Sequence, residues 1–219
     1  MKIIYCIMDH EEAANVRALM DAGDTVLVPV PCSDWNRDLS PWPADGVFKG
    51  GGNFGGGADA FLAELTDCFI PKTESKLGVL PAADNDPGSF KGAAVDGSAS
   101  KTVTRYIAGY SLAGLFAVYA ATKTDLFDGF ASMSGSLWFD GFIDYLRAQP
   151  VSPSIKKAYF SLGDKESITK NERMKNVGVR TGEAVDLLRA QGIDVTYEIH
   201  PGGHFRDVEK RIAQGLSQL

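Results

Sequence analysis

Apolar positions along this chain follow two alternating patterns: short continuous runs, and longer stretches in which they recur every three or four residues. Lys2–Met8 (KIIYCIM) is a short apolar run with β-branched and aromatic members, the pattern of a strand buried on both faces. Glu11–Ala22 then carries Ala13, Val16, Leu19 and Met20 at helical spacing, with acidic residues in the first turn and Gly23 as a stop. Thr25–Val30 (TVLVPV) predicts a second strand, closed by Pro31. Beyond a polar stretch rich in Trp and Gly, Phe61, Leu62, Leu65 and Phe69 predict a helix that Pro71 ends or bends. Residues 72–100 lose periodicity, and DNDPGSFKGAAVDGSAS (84–100) reads as a surface excursion.

The alternation then resumes. Strands are predicted at Thr102–Ala108, Gly129–Met133, Lys157–Leu162 and Val195–Ile199, and helices at Leu112–Ala121, Phe142–Gln149, Val177–Gln191 and Arg206–Leu219. Six strands alternating with helices predict a mainly parallel six-stranded α/β sheet flanked by helices, in a single domain over residues 1–219. The excursion is not a linker between two domains, because the two strands before it could not close a sheet of their own.

Composition narrows the function classes. The 219 residues are 44% hydrophobic and 23% charged, ordinary for a globular chain with a sizeable core. Lys+Arg 22 against Asp+Glu 28 leaves a net charge of −6, so no basic field points to nucleic acid or an anionic membrane surface. The apolar run ending at Asp9 is too short for a signal peptide, and nothing later approaches the ~20 apolar residues of a membrane span. Cys6, Cys32 and Cys68 are widely spaced with no C-x-x-C, which predicts neither a disulfide framework nor a zinc knuckle; a reducing cytoplasm is the expected location.

The sharpest local feature is Gly109-Tyr110-Ser111-Leu112-Ala113-Gly114, between a predicted strand and a predicted helix. A serine nucleophile sits on a turn so tight that the residues two before and two after it have almost no room for side chains, and Gly109 and Ala113 meet that demand. The bland alternative is a strand-to-helix turn in which Ser111 caps the helix. Serine needs a base, and the base a carboxylate, in chain order Ser, acid, His on successive loops. His204, in Pro201-Gly202-Gly203-His204-Phe205, follows the last predicted strand; His200 ends that strand and His10 precedes the serine, so both suit the role less well. The loop Gly163-Asp164-Lys165-Glu166 offers two acids, and the reach toward the histidine favours Glu166 while leaving Asp164 open. The oxyanion donors expected are the Leu112 N–H and an N–H from the loop after the first strand, Asp9 or His10.

Rival motifs are weaker. Gly50-Gly51-Gly52-Asn53-Phe54-Gly55 matches G-x-G-x-x-G, but in a run this rich in glycine almost any glycine pattern matches, and no clear strand leads into it. No cofactor is expected. His200 and His204 have a zinc-like spacing only on a helix, which Pro201-Gly202-Gly203 forbids, so no metal is expected. Trp35, Trp42 and Trp138 either line a pocket beside the serine or belong to the core; Trp35 and Trp138 lie in the loops 32–57 and 134–142, which are expected to shape the acyl or alcohol pocket.

Taken together, DLSPWP (38–43), GGGADAFLAEL (55–65), GYSLAGLFAVYA (109–120), SMSGSLWF (132–139), SLGDKE (161–166) and GGHF (202–205) resemble the esterases of the α/β-hydrolase superfamily, the group containing S-formylglutathione hydrolase (esterase D), enterochelin esterases and feruloyl esterases. The segments occur in that family's order. The resemblance implies Ser111 as nucleophile, His204 as base and Glu166 as acid, although the family more often has Asp there, which keeps Asp164 open. Ala113 replaces the family's usual Gly, and residues 84–100 have no evident counterpart. The chain starts at what corresponds to the family's third strand, implying a shortened α/β-hydrolase fold that lacks the first two strands. The strand order then becomes second-first-third-fourth-fifth-sixth, and a second copy could cover the exposed sheet edge in a homo-oligomer. The expected activity is cleavage of a small-molecule carboxylic ester or thioester. Acyl transfer to an alcohol, or a non-catalytic binding domain, are the alternatives.

Overall fold

The computed structural model describes residues 1–21, 23–48, 50–79 and 103–219. Its strands are β1 (Lys2–Ile7), β2 (Thr25–Val30), β3 (Pro43–Ala44), β4 (Phe54–Gly55), β5 (Thr104–Tyr110), β6 (Gly129–Met133), β7 (Lys157–Gly163) and β8 (Asp194–His200). Its α-helices are α1 (His10–Leu19), α2 (Trp35–Asp38), α3 (Ala58–Glu64), α4 (Ile70–Lys76), α5 (Leu112–Lys123), α6 (Phe142–Ala148), α7 (Val177–Ala190) and α8 (Val208–Ser217). The six longer strands form one sheet in the order β2-β1-β5-β6-β7-β8, every pair parallel. The α/β fold, its sheet and its strand order are those expected from the sequence.

Both sheet faces are covered, and that is why its strands read as continuous apolar runs. Along β1, Ile3, Tyr5 and Ile7 face one core with α3 to α7, while Ile4 and Cys6 face a second core with Ala13 and Val16 of α1 and Ile212 and Leu216 of α8. Helix α5 lies in the larger core with Leu112 through Ala121 all buried, so it carries no polar stripe. The strand order reverses between β1 and β5, which opens a crevice at their carboxyl ends. Ser111 directly follows β5, at that crevice.

Several boundaries differ from the predicted ones. Helix α1 stops at Leu19, because Met20 is extended; Leu19 is 56% exposed, while Met20 packs against the second core. Ala22, Thr102 and the excursion 84–100 lie outside the described residues. Strand β5 continues past Ala108 through Gly109 and Tyr110, which pair with Ser132 and Met133. Pro71 does not end its helix: a π-turn at Leu65–Phe69 absorbs the missing N–H, and α4 continues to Lys76. Strand β8 includes His200, opposite Gly163. Helix α8 starts at Val208 after Asp207 in a left-handed conformation, not at Arg206.

A buried ion pair ties the return from α4 to the sheet. Glu74, 1% exposed, accepts from Arg105 Nε at 2.6 Å and Nη2 at 2.8 Å and from the Tyr5 hydroxyl at 2.9 Å. Burial would raise its carboxyl, but the Arg105 and Tyr5 bonds outweigh this and hold it below the usual value. Replacing Glu74 with Gln strands the Arg105 charge. Urea denaturation should show a loss of about 2–3 kcal/mol, and a loss below about 1 kcal/mol would contradict the role given to this pair.

Candidate active site

Ser111 occupies a strained junction. Its φ of 58° and ψ of −122° are rare for a residue with a Cβ, at a cost of about 1–3 kcal/mol. The strain is held from both sides: Ser111 N–H donates to the Met133 carbonyl at 3.0 Å, and its own carbonyl accepts from Ser136 N–H at 3.0 Å and from Gly114 in the first turn of α5. A Cβ on Gly109 would lie 2.5 Å from Ala113, so glycine is required there. The hydroxyl makes no helix-capping bond. It lies 3.0 Å from His204 Nε2.

His204 stands in the turn after β8, which side chains from β5 and from the loop after β7 help to hold. The Tyr110 hydroxyl donates to the His204 carbonyl at 2.6 Å, and Asp164 Oδ1 accepts from Gly202 N–H at 2.7 Å. Asp164 therefore braces the histidine turn, while Glu166 Oε2 reaches His204 Nδ1 at 2.7 Å. Since a carboxylate only accepts, Nδ1 carries the proton. Nε2 of the neutral ring is then the acceptor for the Ser111 hydroxyl.

The Glu166 side chain is 3% exposed, and its other oxygen is saturated. Oε1 accepts from the Ser134 hydroxyl at 2.6 Å, Gly163 N–H at 2.7 Å and Arg211 Nη2 at 3.0 Å. Burial pushes this carboxyl up, but the bonds from His204, Ser134 and Gly163 prevail and hold it at about 2. Sequence reasoning missed Ser134 and Arg211. Ser134 follows β6 with φ of 47°, and the serine-rich segment 132–139 was its available signal. Arg211 is 3% exposed in the apolar stripe Val208, Ile212, Gly215 and Leu216; a cation on the apolar face of an amphipathic helix was the signal there.

Two cavities meet at Ser111. The larger, about 220 Å³, is bounded by Phe48, Trp138, Met174, Val177, His204 and Phe205. The smaller, about 90 Å³, is bounded by Trp35, Val47, Gly51, Gly52, Phe54 and Leu112, with Trp138 between the two. Trp35 and Trp138 thus line the space beside the serine, while Trp42 packs on Phe139, Phe142 and Tyr145. The glycine run forms the β3–β4 connection, where Asn36 Nδ2 holds the Gly51 carbonyl at 2.8 Å, and it follows no strand of the main sheet. Asp9 caps α1 by accepting from Glu12 N–H at 2.7 Å, and His10 starts that helix; neither lines either cavity. His200 lies 3.4 Å from the Tyr159 hydroxyl, and burial, aided by Arg211, disfavours its protonation. No group of metal-ligating side chains occurs among the described residues, and no described helix is long and apolar enough to cross a membrane.

No protein-family model matches the chain. It is 24% identical over 170 residues, 77% of its length, to the uncharacterized protein YbbA of Bacillus subtilis (strain 168), and spans only 60% of that protein's length. Among solved structures, an IroE-like serine hydrolase from Shewanella oneidensis superposes with a TM-score of 0.71 at 16% identity, over 99% of this chain and 69% of that one. The siderophore hydrolase EstB from Aspergillus nidulans gives 0.67 at 16% identity, over 99% and 81%. The enterobactin hydrolase IroE gives 0.62 at 17% identity, over 98% and 80%. These likenesses establish a shared α/β fold.

The low Glu166 value fixes the sign of a pH effect. The unfolded carboxyl titrates near 4.5 and the folded one near 2, so between them the unfolded chain binds more protons and stability rises with pH. The contribution is fully present above 4.5 and lost as pH falls through 2. Urea midpoints measured across this window should fall less steeply for Glu166→Gln than for the wild type; equal slopes would contradict a depressed carboxyl.

Proposed function

We propose that this chain is a serine hydrolase that cleaves a carboxylic ester or thioester through an acyl-enzyme at Ser111. The observation that carries the proposal is the chain of contacts at the strained turn: Ser111 Oγ to His204 Nε2 at 3.0 Å, and His204 Nδ1 to Glu166 Oε2 at 2.7 Å. His204 removes the Ser111 proton as the oxygen attacks the carbonyl carbon. The Leu112 N–H, in the first turn of α5 where backbone donors have no helical acceptor, stabilises the oxyanion. His204 then passes the proton to the leaving oxygen or sulfur, and Glu166 stabilises the imidazolium in between. Water, activated by the same His204, attacks the acyl-serine and restores the hydroxyl. The activities named for the structural neighbours, serine hydrolase and siderophore hydrolase, support the same chemistry.

The two cavities divide the substrate. The leaving atom must come within reach of His204, so the larger cavity takes the alcohol or thiol. The acyl group lies beside Leu112, whose N–H holds its oxygen, so the smaller cavity takes a short acyl chain. The apolar and aromatic walls, with no Lys or Arg among the described residues bounding either space, suit uncharged groups on both sides.

A fluorophosphonate probe should label the wild type and not Ser111→Ala, and p-nitrophenyl acetate hydrolysis should fall by about 10⁴-fold or more in that variant. Equal labelling of both proteins would sink the proposal. Trp35→Ala opens the smaller cavity at a position that is already 41% exposed. The ratio of kcat/KM for octanoyl over acetyl p-nitrophenyl esters should rise about tenfold, whereas an unchanged ratio would contradict the acyl assignment.

A further inference from the structure

We propose that Arg211 is a positioning residue for this reaction, fixing the Glu166 carboxylate and the histidine turn in the arrangement that leaves one carboxylate oxygen for His204. The inference rests on the hydrolase proposal above. A glutamate has one more rotatable bond than an aspartate, so holding its carboxylate in one orientation costs more side-chain entropy. Donors from three elements hold it: Gly163 at the end of β7, Ser134 after β6 and Arg211 in α8.

Arg211 alone joins all the parts. Its Nη2 donates to Glu166 Oε1 and to the Ser134 hydroxyl, and its Nη1 donates to the Gly203 carbonyl at 3.4 Å in the histidine turn. Its guanidinium lies 5.5 Å from the ring centre of Tyr110, whose hydroxyl holds the His204 carbonyl. Folding stability does not explain this side chain. A buried ion pair is often no better than apolar packing of the same volume, and the Arg211 Nε finds no acceptor among the described residues. What a guanidinium supplies, and an apolar side chain cannot, is several fixed donors in one plane.

Arg211 also shares the negative charge of Glu166. Without it, the whole Glu166 charge falls on the imidazolium that forms during turnover, so the acid limb of the rate profile moves to higher pH. The other titratable groups facing this carboxylate are Tyr110 on β5 and His200 and Tyr197 on β8, and His200 also senses Arg211. A His200→Asn background removes that second imidazole from the comparison.

The test compares Arg211→Met, Arg211→Lys and, as a stability control in the same helix, Leu216→Ala, using p-nitrophenyl acetate from pH 5 to 9. Arg211→Met should lower kcat about 100-fold with little change in KM, and move the acid limb of kcat/KM up by about one pH unit. Arg211→Lys, keeping the charge but not the fork, should keep the acid limb and lose less of kcat. Leu216→Ala should melt earlier with kcat and acid limb unchanged. An Arg211→Met protein that melts earlier but keeps wild-type kcat and acid limb overturns the proposal. If that variant does not fold, wild-type kcat in Arg211→Lys does so. The low-field proton NMR signal of the His204 to Glu166 bond reads positioning without catalysis: it should persist in Leu216→Ala and Arg211→Lys and vanish in Arg211→Met. Its loss there in a protein whose wild type neither hydrolyses esters nor takes the probe would overturn the hydrolase proposal and leave Arg211 as positioner. Its persistence there would overturn the role of Arg211.

Discussion

The buried carboxylate of Glu166 is the constraint around which the carboxyl edge of the sheet is organised. A side chain 3% exposed can keep a full negative charge only if its lone pairs are met, and here four groups from separate segments meet them. Each of those groups fixes something else. Gly163 ends β7, Ser134 turns the chain after β6 against the Ser111 junction, Arg211 anchors α8, and His204 carries the contact on to Ser111. Satisfying one buried charge therefore sets the relative positions of four loops and a helix.

The sheet supplies the rest of the precision. Parallel pairing of β5, β6, β7 and β8 puts the residues that follow each strand on one edge, so positions far apart in sequence meet without long excursions. Strain at Ser111 is tolerated because α5, buried along most of its length, cannot move to relieve it. The 3.0 Å bonds from Ser111 N–H to Met133 and from Ser136 N–H to Ser111 lock the turn to the neighbouring strand. A hydroxyl presented this way is rigid before any ligand arrives, which is the geometric condition the proposed nucleophile requires for positioning to lower a barrier.

Much of this was legible in the sequence because it depends on local rules. Two-sided burial writes continuous apolar runs, so β2 and β6 match their predicted limits; the strand order was legible only through the resemblance to a known family. Gly109 and Ala113 announced the tight turn because contact between them is a backbone matter. The choice between Asp164 and Glu166 could be narrowed by reach and by the resemblance but was left open, and the structure gives the two carboxylates different partners: the histidine turn's backbone for one, the ring for the other. Features made by tertiary fit were not legible. The hairpin of β3 and β4 exists because Gly55 lies flat on Arg37 and Gly56 on Pro43, contacts that no periodicity encodes. Ser134 and Arg211 are 77 positions apart, and only a folded chain brings them to the same oxygen. The end of α1 is not legible because Leu19 looks like a core residue but faces solvent, and Met20 reaches the smaller core from extended backbone beyond the helix.

Everything proposed for the site depends on Ser111 carrying a covalent acyl group during turnover. The direct measurement is rapid-quench mass spectrometry of the wild-type protein mixed with a p-nitrophenyl ester, followed by peptide mapping. One acyl group on the peptide containing Ser111, formed and lost at the rate of turnover, is the predicted result. Turnover with no adduct, or with the adduct on another residue, would contradict a serine nucleophile at this turn.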